Sequence, residues 1–260
     1  MRQIKGKPIV VTGAGRSNRT GYGVQIAKDL YEAGAIVHIL GRDMERLQRT
    51  REWARADLDR FYCYAADISN AAQVGDIFEQ IKRTSGPIHG LVNNAAINLS
   101  RNRILETTLE DFERTLKTNL VGPFNCMRAA IPQMLERQEG NIVSITSIFA
   151  HVAAPNQTSY ASSKFGLHGL TSSVGLQYCR EGIAANCVAP GYAYTDLTAP
   201  LLEILSPEKR ALLINSHAIR REIDPTEVSD AALYLLKVTP ATTASVVKVD
   251  GGFLHNPPRP

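Results

Sequence analysis

Short, almost wholly apolar runs alternate along this chain with longer stretches whose apolar positions recur every three or four residues. Ile9-Val10-Val11 is the first short run, and an uninterrupted apolar run of that length reads as a strand covered on both faces. Val24, Ile26, Ala27, Leu30 and Tyr31 then fall at helical spacing, and Ile36 to Leu40 forms a second strand. The rhythm repeats, with strands expected at 60–64, 90–93, 141–145, 184–188 and 246–249 and helices near 71–84, 108–136, 160–180 and 225–237. Strands alternating with helices in this way predict an α/β fold with a doubly wound parallel sheet. The segment 196–224 breaks the pattern and holds Pro200 and Pro207, which predicts a substrate flap or small helical lid. The proline-rich tail from His255 to Pro260 is expected to be extended.

Length and charge narrow the class without naming an activity. A chain of 260 residues with no repeat or linker suits one domain, 1–260. Its 44% apolar and 21% charged residues are ordinary for a well-packed protein. A net charge of +4 with no dense Lys/Arg run argues against a nucleic-acid partner. No apolar run approaches the ~20 residues of a membrane span. Cys63, Cys126, Cys179 and Cys187 are scattered, so neither a metal site nor a disulfide framework is expected. The first strand begins at Ile9, leaving no room for a signal peptide, and a cytoplasmic location is the expectation.

The chemistry concentrates in two places. Tyr160 and Lys164 are four residues apart on a predicted helix, so phenol and ammonium share one face. Ser147 lies thirteen residues upstream, at the end of a predicted strand. Between the first strand and first helix lies a glycine turn containing Gly13, Gly21 and Gly23. Glycines there let the backbone bend sharply and approach a pyrophosphate seated on the helix N-terminus. The second strand ends at Leu40, followed by Gly41 and Arg42, with no carboxylate at position 41 to hold ribose hydroxyls. A guanidinium at that place can pair with a 2′-phosphate, and Arg16 or Arg19 could supply a second cation, which favours NADP(H) over NAD(H).

These residues resemble the classical short-chain dehydrogenase/reductase family over nearly the whole chain, from Thr12 to Gly252. Further family motifs fall in order: Asp67-Ile68 on the adenine side, Asn93-Asn94-Ala95-Ala96 after the fourth strand, and Asn119 on a helix. Ser147, Tyr160 and Lys164 follow, then Pro190-Gly191 with Thr195, and Val249-Asp250-Gly251-Gly252. The resemblance implies a Rossmann-like sheet of seven parallel strands flanked by helices. It implies reduction of a ketone to a secondary alcohol, or the reverse, with NADPH or NADP. It assigns Tyr160 as general acid, Lys164 as the charge that eases phenol ionisation and holds the nicotinamide ribose, Ser147 as donor to the substrate oxygen, and Asn119 as holder of a relay water. Gly13, Arg16, Arg19, Thr20, Gly21, Gly23, Arg42, Asp67, Ile68, Asn94, Ala95, Pro190, Gly191, Ala193 and Thr195 are the expected cofactor contacts, with Tyr160 and Lys164. A homodimer or homotetramer acting on a small-molecule carbonyl or alcohol is the expected assembly.

Two departures stand out. Seven residues separate Gly13 from Gly21 where the family pattern has three, a length that resembles bacterial enoyl-acyl-carrier-protein reductases. Those enzymes space Tyr and Lys seven apart, whereas this chain keeps four. Ala96 replaces the family's glycine. Asn98, Phe149, His151, Asn156 and Tyr192, with Tyr194, are the expected walls of the substrate pocket, by position alone. The rivals are an enoyl-thioester reductase, an oxidative dehydrogenase using NAD(H), which Asp43 keeps open, and a non-catalytic dinucleotide-sensing protein, against which the intact Ser147, Tyr160 and Lys164 argue.

Overall fold

The computed structural model describes residues 2–255. Seven parallel strands form a single sheet: β1 (Pro8–Thr12), β2 (Ile36–Gly41), β3 (Phe61–Ala65), β4 (Gly90–Asn93), β5 (Gly140–Ile145), β6 (Ile183–Pro190) and β7 (Val246–Val249). Their order is β3-β2-β1-β4-β5-β6-β7. The order reverses between β1 and β4, and a doubly wound sheet opens its ligand crevice at such a reversal, at the carboxyl ends of the strands. The register pairs Val11 with both Ile39 and Val92, so the ends of β1, β2 and β4 lie side by side under the crevice.

Helices cover both faces, which is why the strands read as continuous apolar runs. On one face α1 (Tyr22–Glu32), α2 (Met44–Trp53) and α9 (Pro225–Leu235) pack Ile26, Leu30, Leu47, Val228 and Leu235 against Ile9, Val37 and Val92. On the other, α3 (Ala71–Ser85), α5 (Gly122–Arg137) and α6 (Thr158–Tyr178) pack Phe78, Ile81, Met127, Met134 and Val174 against Val10, Leu91 and Ile142. Full burial of each such side chain contributes roughly 1.5–3 kcal/mol.

The expected helix over 108–136 is one helical run with a defect. It begins as α4 (Leu109–Leu116), passes through a π-helical turn at Lys117–Val121, and continues as α5. Asn119 sits in that turn. π-turns inside helices recur at functional sites because the extra residue re-aims the side chains around it. The 196–224 segment holds two short helices, α7 (Ala199–Leu202) and α8 (Pro207–Asn215). His255 closes a 3₁₀ turn, Phe253–His255, and is not extended as expected; positions 256–260 lie outside the described residues.

Candidate active site

The carboxyl ends of β1, β2, β4 and β5 open into a cleft of about 860 Å³. Gly13, Gly21, Gly23, Arg42, Asp67, Ile68, Asn94, Ala95, Tyr160, Lys164 and Thr195 line it. A second, narrower pocket lies beyond Tyr160, with Ser147, Phe149, Gln157, Pro190, Gly191 and Tyr192 on its walls. Tyr160 borders both spaces.

The glycine turn is held by a clasp. Gly13 adopts φ +68°, and a Cβ there would stand 2.5 Å from the Cα of Ala95. Asn94 Nδ2 donates to the carbonyls of Thr12 (2.9 Å) and Gly13 (3.0 Å). Thr12 Oγ1 in turn accepts from the backbone N–H groups of Asn94 (3.0 Å) and Ala95 (3.1 Å). A Cβ on Gly23 would meet Asn94 Nδ2 at 2.3 Å. The turn after β1 and the segment after β4 are therefore one interlocked unit.

The cleft fits a dinucleotide. The N-terminus of α1 has no side-chain cap and no acidic residue in its first turn, so its free N–H groups and positive dipole end suit a diphosphate. Arg42 is exposed on the rim beside Gly41. Asp67 and Ile68 border the same end.

The catalytic candidates stand on rigid elements. Lys164 is 2% exposed, and its Nζ donates to the Ile145 carbonyl at 2.8 Å, tying α6 to the end of β5. Burial pushes its ammonium down to about 8. Burial likewise pushes the Tyr160 phenol up to about 12, against the opposing pull of a hydrogen bond with Ser147 and of the nearby Arg101 charge. At neutral pH the phenol keeps its proton and the lysine remains mostly cationic. Ser147 Oγ accepts from Phe149 N–H at 3.2 Å, capping a 3₁₀ turn and leaving its own hydrogen for a partner in the pocket.

Asn119 is fixed by three side-chain hydrogen bonds. Its Oδ1 accepts from Ile97 N–H (2.8 Å), while Nδ2 donates to Ile97 O (2.8 Å) and Ser163 Oγ (3.0 Å). Ser163 Oγ donates to Tyr160 O at 2.7 Å. Both amide hydrogens are thus consumed in fixing the loop after β4 and the helix that carries Tyr160.

Other expected residues part company. Asn98, Phe149 and Tyr192 line the narrow pocket. His151 instead faces His168, with ring centroids 5.2 Å apart, and Asn156 is exposed at φ +60°; neither borders the pocket. Arg16 stacks over Trp53 at 5.2 Å, its backbone N–H donates to Arg46 O (2.9 Å), and it does not border the cleft. Arg19 turns to the flap: it donates to Tyr194 OH (3.1 Å), lies 4.8 Å from that ring, and pairs with Glu203. Tyr194 OH also donates to Glu203 Oε1 at 2.8 Å, and Ser17 Oγ donates to Asp196. Thr20 and Ala193 border neither space. The inserted residues therefore latch the glycine turn to the segment 194–203, which includes α7. Sequence reasoning missed Tyr22 and Arg101, both of which border the two spaces, and Gln157 of the narrow pocket. Tyr22 was open to inference from its place between Gly21 and Gly23; nothing in the spacing singles out Arg101.

Fold and site together define a dinucleotide-dependent oxidoreductase, and comparison with known proteins names its family. A family model described as Enoyl-(Acyl carrier protein) reductase matches residues 15–254. The chain is 30% identical to the 3-oxoacyl-acyl-carrier-protein reductase FabG of Chlamydia pneumoniae over 97% of this chain and 98% of that one. It is 32% identical to carbonyl reductase family member 4 of Xenopus tropicalis, over 90% of this chain and 93% of that one. Among solved structures it resembles a gluconate 5-dehydrogenase from Burkholderia cenocepacia in complex with NADP and tartrate, at TM-score 0.86 and 28% identity, covering 97% and 96% of the two chains. The chain belongs to the short-chain dehydrogenase/reductase family and is an enzyme acting on C=O or CH–OH groups.

Proposed function

We propose that this chain is an NADPH-dependent carbonyl reductase, equivalently a secondary-alcohol dehydrogenase. The observation that carries the reading is the position of Tyr160 as the common wall of a dinucleotide-sized cleft and a narrow pocket that also holds Ser147. NADP(H), bound in the cleft, supplies or accepts the hydride. Arg42 is the group that favours the 2′-phosphate, and the NADP-bound neighbour supports that choice. Ser147 donates to the carbonyl oxygen as negative charge gathers on it. Tyr160 gives that oxygen its proton, and its elevated pKa keeps the acid form filled at neutral pH. Lys164 holds the nicotinamide ribose and stabilises the phenolate left behind. Asn119 fixes the Tyr160 helix against the loop after β4, so any relay water it holds must use its remaining acceptor capacity or its backbone.

NADPH consumption with a panel of ketones tests the reading, with Tyr160→Phe as the inactive control. The family model's description and the long glycine turn favour one alternative, reduction of an enoyl thioester. Crotonyl and acetoacetyl thioesters assayed side by side separate the two; turnover of the alkene alone overturns carbonyl reduction. We further read the exposed Val121, Phe124 and Phe165, on the π-turn, α5 and α6, as part of a homodimer or homotetramer face, which sedimentation checks. No helix among the described residues is long and apolar enough to cross a membrane, and the four free cysteines accord with a cytoplasmic setting.

A further inference from the structure

Arg101 is a cation without a counter-charge in the substrate pocket. It follows β4 by eight residues and borders both the cleft and the narrow pocket. Its Nη2 donates to the Leu197 carbonyl of the flap at 2.8 Å, and its Nε reaches the Asn98 amide oxygen at 3.3 Å when that amide faces it. No carboxylate pairs with it among the described residues; the charged-capable groups that it feels are Tyr160 and Tyr192. A guanidinium has five N–H donors, so three remain after these two bonds. Two arginines of the 196–224 segment do have an acid: Arg210 pairs with Glu222 at 2.8 Å and Arg221 with Glu227 at 2.8 Å. Half-burying an unpaired cation costs stability, and such a group is kept where a ligand supplies the missing charge.

We propose that Arg101 binds a carboxylate of the substrate, so that the physiological substrate is a keto acid or hydroxy acid and not a neutral ketone. The inference rests on the carbonyl-reductase reading and names its substrate class. The geometry favours the substrate over a cofactor phosphate, because Arg101 shares the narrow pocket with Ser147 and Phe149 and bonds to Leu197, another of its walls. Planar, forked donors match a carboxylate in two parallel hydrogen bonds. The other walls of the pocket are largely apolar, including Ile148, Phe149 and Leu201, which suits a short carbon chain between the reacting carbonyl and the acid. The bond from Arg101 to Leu197 also means that a carboxylate held there meets the flap directly.

The test uses the full chain with three keto acids of increasing length, acetoacetate, levulinate and 5-oxohexanoate, each against its methyl ester. The acid of best length is expected to exceed its ester in kcat/KM by about ten- to hundredfold, the range for a charged hydrogen bond. Arg101→Gln keeps a donor for Leu197 and is expected to abolish that preference while leaving NADPH affinity unchanged; Arg101→Lys is expected to restore part of it. Melting temperatures confirm that the variants fold. Calorimetric titration of the enzyme–NADP complex with the same acids and esters gives a readout independent of turnover. Acid bound in preference to ester, and lost in Arg101→Gln, with no reduction of either, supports the anion site and overturns the carbonyl-reductase reading alone. Equal treatment of acid and ester by the wild type overturns the inference and leaves that reading standing. A loss of NADPH affinity in Arg101→Gln with the acid preference intact assigns Arg101 to the cofactor and also overturns it.

Discussion

The two walls of the substrate pocket are built on different principles. One wall, carried by β5 and α6, is buried and fixed by short hydrogen bonds to backbone: Lys164 to Ile145, Ser163 to Tyr160 and Asn119 to Ile97. The other, carried by α7 and the residues just before it, leads into a segment that exposes Ile204 and Leu212 to solvent and is held to the glycine turn through partly exposed ion pairs of Arg19. Hydrogen bonds to buried backbone resist opening, because an unpaired group left inside costs about 1–3 kcal/mol. Exposed ion pairs are each worth about 0–1 kcal/mol and exchange readily with water. On the proposed mechanism, the reacting groups on the first wall keep proton transfer in register, while the second can part to admit substrate.

The sharpest way to break this comparison is to remove chemistry from the rigid wall without loosening it. Tyr160→Phe keeps the packed ring and is expected to lower kcat by about 10²–10⁴-fold, the span of general acid catalysis, with NADPH affinity unchanged. A small loss in single-turnover reduction removes Tyr160 from the proton-donor role. Next in size, Arg42→Ala is expected to reduce the ratio of NADPH to NADH affinity by about ten- to hundredfold. Fluorescence titration with each cofactor checks it, and an unchanged ratio withdraws the reason for choosing NADPH.

The buried lysine gives a pH signature of the same wall. Its ammonium is present below about pH 8 and lost above it. kcat/KM for NADPH, which reports the free enzyme, is therefore expected to bend downward above that pH, approaching tenfold per unit. Lys164→Arg moves the bend far upward, since a guanidinium does not deprotonate in that range. The smallest effect belongs to the latch. Glu203→Gln is expected to change KM for the ketone by no more than about fivefold, as an exposed pair allows, with kcat intact. A large fall in kcat in that variant means that the flap is part of the catalytic wall and the contrast fails.

The same contrast explains what was legible in the sequence. The central strands β1, β4, β5 and β6 are buried on both faces, so their apolar runs announce them, and motifs on the rigid wall lie at fixed intervals. The helix α2 escaped because Met44–Trp53 buries only Leu47 and Thr50 and shows no apolar stripe. The π-turn escaped because its residues also satisfy ordinary helical spacing. On the flap side the cations were visible but their partners were not. Arg19 looked like a phosphate ligand until Tyr194 and Glu203, more than 170 residues away, were found beside it. Arg16 was similarly claimed by Trp53. Long-range pairing leaves no local period to read.

The clasp between Thr12, Gly13 and Asn94 bears on how such a protein can change. Because a methyl group at Gly13 collides with Ala95, and one at Gly23 with Asn94, the two segments cannot vary independently. Transplanting a foreign glycine turn to alter cofactor choice would bring in a half that no longer matches its resident counterpart. Lineages and engineers alike must exchange both segments together, or work at the rim, where Arg42 stands free of the interlock.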